Sequence, residues 1–322
     1  MPAAPMHKAI FIFNPSSGRK QGRRAEKIAR CAEIFRAAGV AAELCATTHA
    51  GSATGQARAA AESGFDTVIA CGGDGTVNEC LNGLMHAQSH AALGVIPLGS
   101  GNLLATDLGL STEPEEAARA LLRYQPRSLK PGLISYQENG ETRQRYFIVA
   151  AGVGVDADLM YRTGAEAKGR LGIYAYFSEM ARMTLRREFP MFMAEWNDEQ
   201  GIAHTAKVAL VMALRPRRFP GLLRRVKLGS DLERNDYRLL LFRTGKARHF
   251  LNFFASLATG LNWKVPQVDV VYSTWLRCTP TPLQDPKSIH AEIDGEVLGT
   301  LPVEISVEER TFDLLMKEAN SH

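Results

Sequence analysis

The chemistry open to this chain rests on carboxylates set among glycines. Asp74 stands inside the run Gly72, Gly73, Asp74, Gly75, Thr76, with Glu79 about one helical turn further on; Asp156 and Asp158 follow Gly154, and Asp294 and Glu296 flank Gly295. Two further glycine-bearing turns are Asn14, Pro15, Ser16, Ser17, Gly18 and Pro97, Leu98, Gly99, Ser100, Gly101, Asn102. Glycines let backbone amides close on a phosphate with no Cβ in the way, and a helix beginning near Thr76 would add the positive end of its dipole. An acid lodged there repels such a ligand unless a cation intervenes or the acid handles a proton, so Asp74 implies Mg2+, general-base work, or both. Phosphoryl transfer asks for little else: positioned phosphates, a metal, and one carboxylate to orient or deprotonate an attacking hydroxyl. Asp294, Gly295 and Glu296 read equally well as a hairpin turn carrying a solvated acid.

These turns need a frame that brings them together. Apolar runs at 9–13, 67–71 and 93–97, each bounded by turn residues, are expected to be strands buried on both faces of a parallel sheet. Residues 24–38 place Ile28, Ala32 and Phe35 on one helical face, and Val77, Leu81 and Leu84 repeat that spacing. Thr112 ahead of Glu113, Pro114, Glu115 and Glu116 predicts a further helix with a capping hydroxyl. This alternation predicts an open, doubly wound α/β layer, whose ligands bind at the carboxyl ends of the strands, so the three glycine turns should converge. Near Ser128, Leu129, Lys130, Pro131 and Gly132 the pattern changes to alternating segments joined by hairpin signals, at Asn139-Gly140, 197–201 and Asp294-Gly295. Helical interruptions are expected at 170–187 and 245–260. A second, mostly antiparallel β domain follows.

Composition narrows the rest. The chain has 322 residues, 45% hydrophobic and 22% charged, with 38 Lys and Arg against 34 acids, a balance of +4. That excludes a disordered chain and does not mark a nucleic-acid binder by bulk charge. The longest uncharged apolar segment, 250–263, contains two asparagines and a glycine and is too short to span a bilayer; its Phe250, Leu251, Phe253, Phe254 and Leu257 suit the core face of a helix. No export signal is read at the amino terminus. Five cysteines, at 31, 45, 71, 80 and 278, form no C-x-x-C pair and suit a reducing compartment, the cytoplasm by default, as small buried hydrophobes. No G-x-x-x-x-G-K-[ST], H-E-x-x-H or G-x-S-x-G occurs, which leaves a P-loop, zinc proteolysis and acyl-enzyme chemistry without their parts. The run from Gly152 to Ala157 nominally fits G-x-G-x-x-A but lies past the change of pattern. Arg215, Arg217, Arg218, Arg224, Arg225 and Lys227 put six cations within thirteen residues, with Phe219, Leu222 and Leu223 interleaved and no acid among them. The segment reads either as a solvated basic loop or as a reversible dock on anionic lipid; it lacks the aromatic platform of a nucleic-acid site.

Five ordered motifs resemble the diacylglycerol kinase catalytic-domain family, above all its soluble bacterial lipid kinases, relatives of sphingosine kinases and NAD kinases. They are Asn14-Pro15 with Ser17-Gly18; Gly72 to Thr76 with Asn78-Glu79; Pro97 with Gly99 to Asn102; Gly154 to Ala157; and Asp294 to Glu296, spread from about residue 8 to about residue 316. The resemblance implies ATP- and Mg2+-dependent transfer of the γ-phosphate to a lipid hydroxyl, diacylglycerol or a related lipid. It also implies an α/β plus β architecture: a doubly wound α/β nucleotide-binding domain, 1–128 with 309–322 returning to it, and a mostly antiparallel β-sandwich substrate domain, 129–308, with the active site in the cleft between. Carried over, Gly72, Gly73, Gly75, Thr76, Gly99, Ser100, Gly101 and Asn102 would hold phosphates, braced by Asn14, and Thr47 would contact the nucleotide. Asp74 would serve the metal. Glu296 would be the base toward the lipid hydroxyl, although sphingosine kinases give that role to the acid matching Asp74. Asp156 and Asp158 would face the lipid headgroup.

A cytoplasmic enzyme acting on lipid would associate peripherally with a membrane, and the six cations are the expected dock. Departures from the family pattern are Ser52 for a common aspartate, Ser100 for threonine, Leu103 for a polar residue, and Glu233, Arg234, Asn235, Asp236 where relatives often carry an aspartate-glycine turn associated with a structural metal. The rival readings are a kinase of a soluble hydroxyl compound, of NAD-kinase type, and a nucleotide-binding regulatory module without transferase activity.

Overall fold

A computed structural model describes residues 6–15, 21–99, 101–155, 189–218, 229–259, 266–282 and 285–318. The chain divides into two compact units, Met1–Pro131 with Glu309–His322, and Gly132–Glu308. In the first, strands and helices alternate: β1 (Lys8–Phe13), α1 (Gln21–Ala37), β2 (Ala41–Ala46), α2 (Ser52–Glu62), β3 (Thr67–Gly72), α3 (Asp74–His86), β4 (Ala92–Pro97), α4 (Leu103–Asp107), α5 (Pro114–Leu121) and β5 (Gln125–Leu129). The last strand of the chain, β17 (Phe312–Met316), returns to this unit, giving a sheet ordered β2-β1-β3-β4-β17-β5, parallel except for β5 against β17. Leu129 pairs with Phe312, so the residues just after 128 stay with the first unit.

Helices cover the middle of this sheet, and the middle strands are accordingly almost wholly apolar: every residue of β3 and β4 is buried. Phe35 of α1 meets Phe11 of β1 edge-on at 5.0 Å. Helices α2 and α3 approach so closely that a Cβ on Gly83 would lie 2.3 Å from the Thr54 carbonyl, and Ala53, Ala57, Ala60 and Ala61 are the small residues buried along α2. The edge strand β2 is mostly exposed, with Leu44 at 42%. Thr112 is not the cap of α5: Glu113 holds that position with Pro114 at the first helical residue, and the Ser111 hydroxyl accepts from the Glu113 amide at 3.1 Å.

The second unit holds β6 (Gly132–Glu138), β7 (Glu141–Phe147), β8 (Ala150–Gly154), β9 (Phe192–Asn197), β10 (Ala203–Val208), β11 (Leu210–Leu214), β12 (Tyr237–Phe242), α6 (Ala247–Thr259), β13 (Val268–Ser273), β14 (Trp275–Thr279), β15 (His290–Ile293) and β16 (Glu296–Val307). These strands form one antiparallel network, β10-β9-β14-β16-β15-β8-β11-β12-β13, with β6 bridging β16 and β7. Strand β16 pairs with β14, β15 and β6, and its register shifts between Thr300 and Glu304. Ile134, Phe147, Trp196, Tyr237 and Ile305, from five different strands, share one buried core, so the network folds back on itself. The turns at Asn139-Gly140 (φ 53° and 84°) and Asp294-Gly295 (φ 48° and 82°) have the positive φ pairs of tight hairpins.

Strand β8 runs antiparallel to β11 and β15, and a Cβ on Gly154 would lie 2.3 Å from the Ala209 carbonyl. Gly154 thus answers to close strand packing. Phe250 and Phe253 of α6 are buried against Phe242, with ring centroids 4.6 and 5.0 Å away, so this face is core; the side chains of 251, 254 and 257, like residues 170–187, lie outside what is described. Among the described residues no helix is long and apolar enough to cross a membrane. All five cysteines are free, four buried and Cys45 partly exposed.

Candidate functional site

Parallel register sets the strand ends of the first unit in a row. Phe13 lies opposite Ala46 and Cys71, and Gly72 opposite Pro97, so Asn14, Thr47, Gly73 and Leu98 all emerge at one edge. The Thr47 amide donates to the Phe13 carbonyl at 2.8 Å, and the Leu98 amide to the Gly72 carbonyl at 2.9 Å. Beyond that edge the two glycine turns touch: a Cβ on Gly99 would lie 2.6 Å from the Gly73 Cα. Asn102, at φ 49°, closes its turn on itself. Its side-chain oxygen accepts from the Gly99 amide at 2.9 Å and its nitrogen donates to the Gly99 carbonyl at 2.7 Å. Gly72 leaves room for Thr76, whose Oγ1 would be 2.4 Å from an added Cβ. A Cβ on Gly75 would face open space, so packing makes no demand for a glycine there. Ser100, and the part of the first turn from Ser16 to Gly18, lie outside the described residues.

Asp74 opens α3 beside this contact. Its Oδ1 accepts from the Leu104 amide at 3.4 Å, at the start of α4, and a Cβ on Gly101 would lie 3.0 Å from its Oδ2. Burial pushes its carboxyl above the ordinary value, opposed by the amides of Leu103, Leu104 and Asn102 and by its own. Among the described residues no three His, Cys, Asp or Glu side chains cluster as a metal cage. Magnesium bound through phosphates needs only one or two carboxylates, and Asp74 against glycine turns that leave space in front of it fits that mode.

Two functional or structural roles at this edge were not read from the sequence. The Arg24 guanidinium of α1 donates to the Leu98 carbonyl at 2.8 Å, bringing a cation to the second glycine turn; its place one helical turn inside α1 was the available signal. Glu79 instead turns inward as a cap: its two carboxylate oxygens accept from the Gly51 and Ala53 amides at 3.0 and 3.1 Å, where α2 begins. It holds the segment after Thr47 to α3.

In the second unit, three acids around Gly295 have three fates. Asp294 is buried, not solvated, and accepts from the amides of Val149 (3.0 Å), Ala150 (2.9 Å) and Ile148 (3.4 Å). Glu292 is buried and accepts from the Gly295 amide at 2.9 Å. Glu296 opens β16 with its side chain half exposed, 3.1 Å from Arg145 Nη2. Asp156 and Asp158 lie outside the described residues, just beyond β8.

The basic segment needs a correction at its first member. Arg215 is 1% exposed, and its Nη2 donates to the carbonyls of Leu232 (2.9 Å) and Arg234 (2.8 Å), so it cannot reach a lipid surface. Arg217 is exposed and pairs with Asp231 at 3.0 Å, Arg218 is exposed, and Arg224, Arg225 and Lys227 lie outside the described residues. The same bonds run through the turn that follows. Arg215 donates to the two carbonyls, and the Arg234 guanidinium grips Asp236, with Nε 2.9 Å from Oδ1. These oxygens are thus met by cations of the chain itself.

Residues 8–134 match the family described as diacylglycerol kinase catalytic domain. A diacylglycerol kinase of Bacillus subtilis (strain 168) is 39% identical over 173 residues, 53% of this chain and 54% of that protein, so the match spans about half the relative's length. A diacylglycerol kinase of Staphylococcus aureus (strain bovine RF122 / ET3-1) is 26% identical over 314 residues, 95% of this chain and 91% of that one. A crystal structure of a diacylglycerol kinase from Bacillus anthracis str. Sterne aligns with a TM-score of 0.68 at 20% identity, covering 97% of this chain and 98% of that one, which is a likeness of fold.

Proposed function

We propose that this chain, whose residues 8–134 match the diacylglycerol kinase catalytic domain, is a lipid kinase of that family that transfers the γ-phosphate of ATP to the hydroxyl of diacylglycerol or a related lipid. The observation that carries the reading is the contact of the Gly73 and Gly99 turns with Asp74 set against them. Amides of residues 73–76 and 99–102 would receive the phosphates, with Gly75 leaving its backbone bare, Asn102 and Arg24 holding the second turn in shape, and Asn14 and Thr47 serving the nucleotide from the neighbouring strand ends. Asp74 would hold magnesium together with phosphate oxygens, which offsets the charge of the group in transfer.

Glu296 would take the proton of the attacking hydroxyl as the new oxygen–phosphorus bond forms and the bond to ADP breaks. Asp294 and Glu292 are committed to backbone amides, so Glu296 is the acid of this turn placed to act. Asp156 and Asp158 would face the headgroup. The substrate sits in a bilayer, so the protein would act in the cytoplasm at a membrane surface, docked through Arg217, Arg218, Arg224, Arg225 and Lys227, without a nucleic-acid partner.

The test is incubation of the purified protein with labelled ATP and a total lipid extract. Label should appear on a lipid, and Asp74→Asn and Glu296→Gln should each lower turnover by at least the roughly 100-fold typical of a lost positioned acid or base. Label confined to a water-soluble acceptor, or full turnover in both variants, defeats the proposal.

A further inference from the structure

We infer that Arg145 is a positioning residue for phosphoryl transfer, fixing the Glu296 carboxylate at the place where it meets the acceptor hydroxyl. This rests on the role proposed above for Glu296. The two residues are 151 apart in sequence and come from strands that do not pair: Arg145 lies on β7, opposite Ile134 of β6, and β6 separates β7 from β16. The Arg145 side chain nevertheless places Nη2 3.1 Å from Glu296 Oε2.

The surroundings show what this contact adds. The segment that carries Arg145 continues into Ile148, Val149 and Ala150, whose amides all bind the buried Asp294 carboxylate. Residues 145–150 and 292–296 are thus tied twice. The Asp294 bonds, with that of Glu292 to the Gly295 amide, determine where the backbone of the turn lies. They leave the Glu296 side chain, three rotatable bonds long and half exposed, free to swing. The Arg145 contact removes that freedom at the carboxylate. Its side chain is the more sheltered of the two, 24% against 50% exposed, so it sits behind the acid. The neighbouring cation does not compete, because Arg143 pairs with Glu141 at 2.7 Å.

A half-exposed ion pair adds little to stability, whereas a proton acceptor works only within hydrogen-bond reach of its donor and in the correct direction. Turnover is where the loss of Arg145 should register. Arg145→Met should lower kcat on dispersed diacylglycerol about tenfold with KM for ATP unchanged, Arg145→Lys should recover most of that loss, and both should melt close to the parent. In a Glu296→Gln background, Arg145→Met should cost nothing further. Parent-like kcat in Arg145→Met, a loss that simply adds to that of Glu296→Gln, or collapse of the fold in Arg145→Met would each overturn the inference. Full activity of Glu296→Gln alone would instead bring down the reading of Glu296, and the inference with it.

Discussion

Asp74 is poorly placed for an anion: partly withdrawn from water and answered by amides, its carboxyl is held above the ordinary value by desolvation. Between the ordinary and the raised value the folded protein binds more protons than the unfolded chain, so stability falls as pH rises through that window. The cost is fully present above the raised value and absent below the ordinary one. Asparagine carries no charge to desolvate. Asp74→Asn should therefore melt higher than the parent at pH 7 without nucleotide or metal, the gain shrinking to nothing below about pH 4. Thermal melts across that range decide it; a gain independent of pH means the carboxylate is not the source. Glu79 has a different task, because two helix-start amides claim it. Sequence spacing made both acids candidates, and only the direction of nearby amides separated a cap from a site.

At the scale of elements, the strands readable from the chain were those buried on both faces. Runs at 67–71 and 93–97 became β3 and β4 because helices cover both sides of them, which demands apolar residues without interruption. Strand β2 lies at the sheet edge, mostly exposed, and has no such signature; α2 presents alanines to α3 where a helix with larger apolar residues would have been visible. The turn after residue 231 shows a similar limit. Arg215 reads as one more cation of a basic run, yet it is 1% exposed and joins the carbonyls of Leu232 and Arg234. Because these carbonyls already have an internal cation as donor, a chelator should leave the melting midpoint of the ligand-free protein unchanged. Arg215→Met should destabilise it by on the order of 3 kcal/mol, since buried carbonyls lose their donor. A fall in melting on chelation, restored by Mg2+ or Ca2+, would show that a metal binds there after all.

For the whole molecule, the return of residues 309–322 makes the first unit discontinuous: β17 lies between β4 and β5, and the Arg310 guanidinium donates to the Ala87 carbonyl at 2.7 Å. In sequence, the second unit is thus an insertion within the first. The proposed attachment to a lipid surface belongs to this scale, because it depends on the summed charge of several residues. With Arg215 removed from the account, the four arginines Arg217, Arg218, Arg224 and Arg225 remain beside Lys227. At about 1 kcal/mol per cation before screening, replacing all four by glutamine should weaken co-sedimentation with anionic vesicles at least tenfold at physiological salt. Unchanged co-sedimentation would place the attachment elsewhere.

Residue types and their order were enough to establish the alternating first unit, the hairpins at Asn139-Gly140 and Asp294-Gly295, and glycine-bearing turns on either side of Asp74. Those features are local: periodicity, positive φ and bare backbone are written within a few residues of one another. The contact between Gly73 and Gly99, the burial of Arg215, the amides around Asp294 and the arginine behind Glu296 were decided by tertiary structure. Each joins segments distant in sequence, and whether a charged side chain meets water, a carbonyl or a countercharge depends on which segments the fold brings beside it.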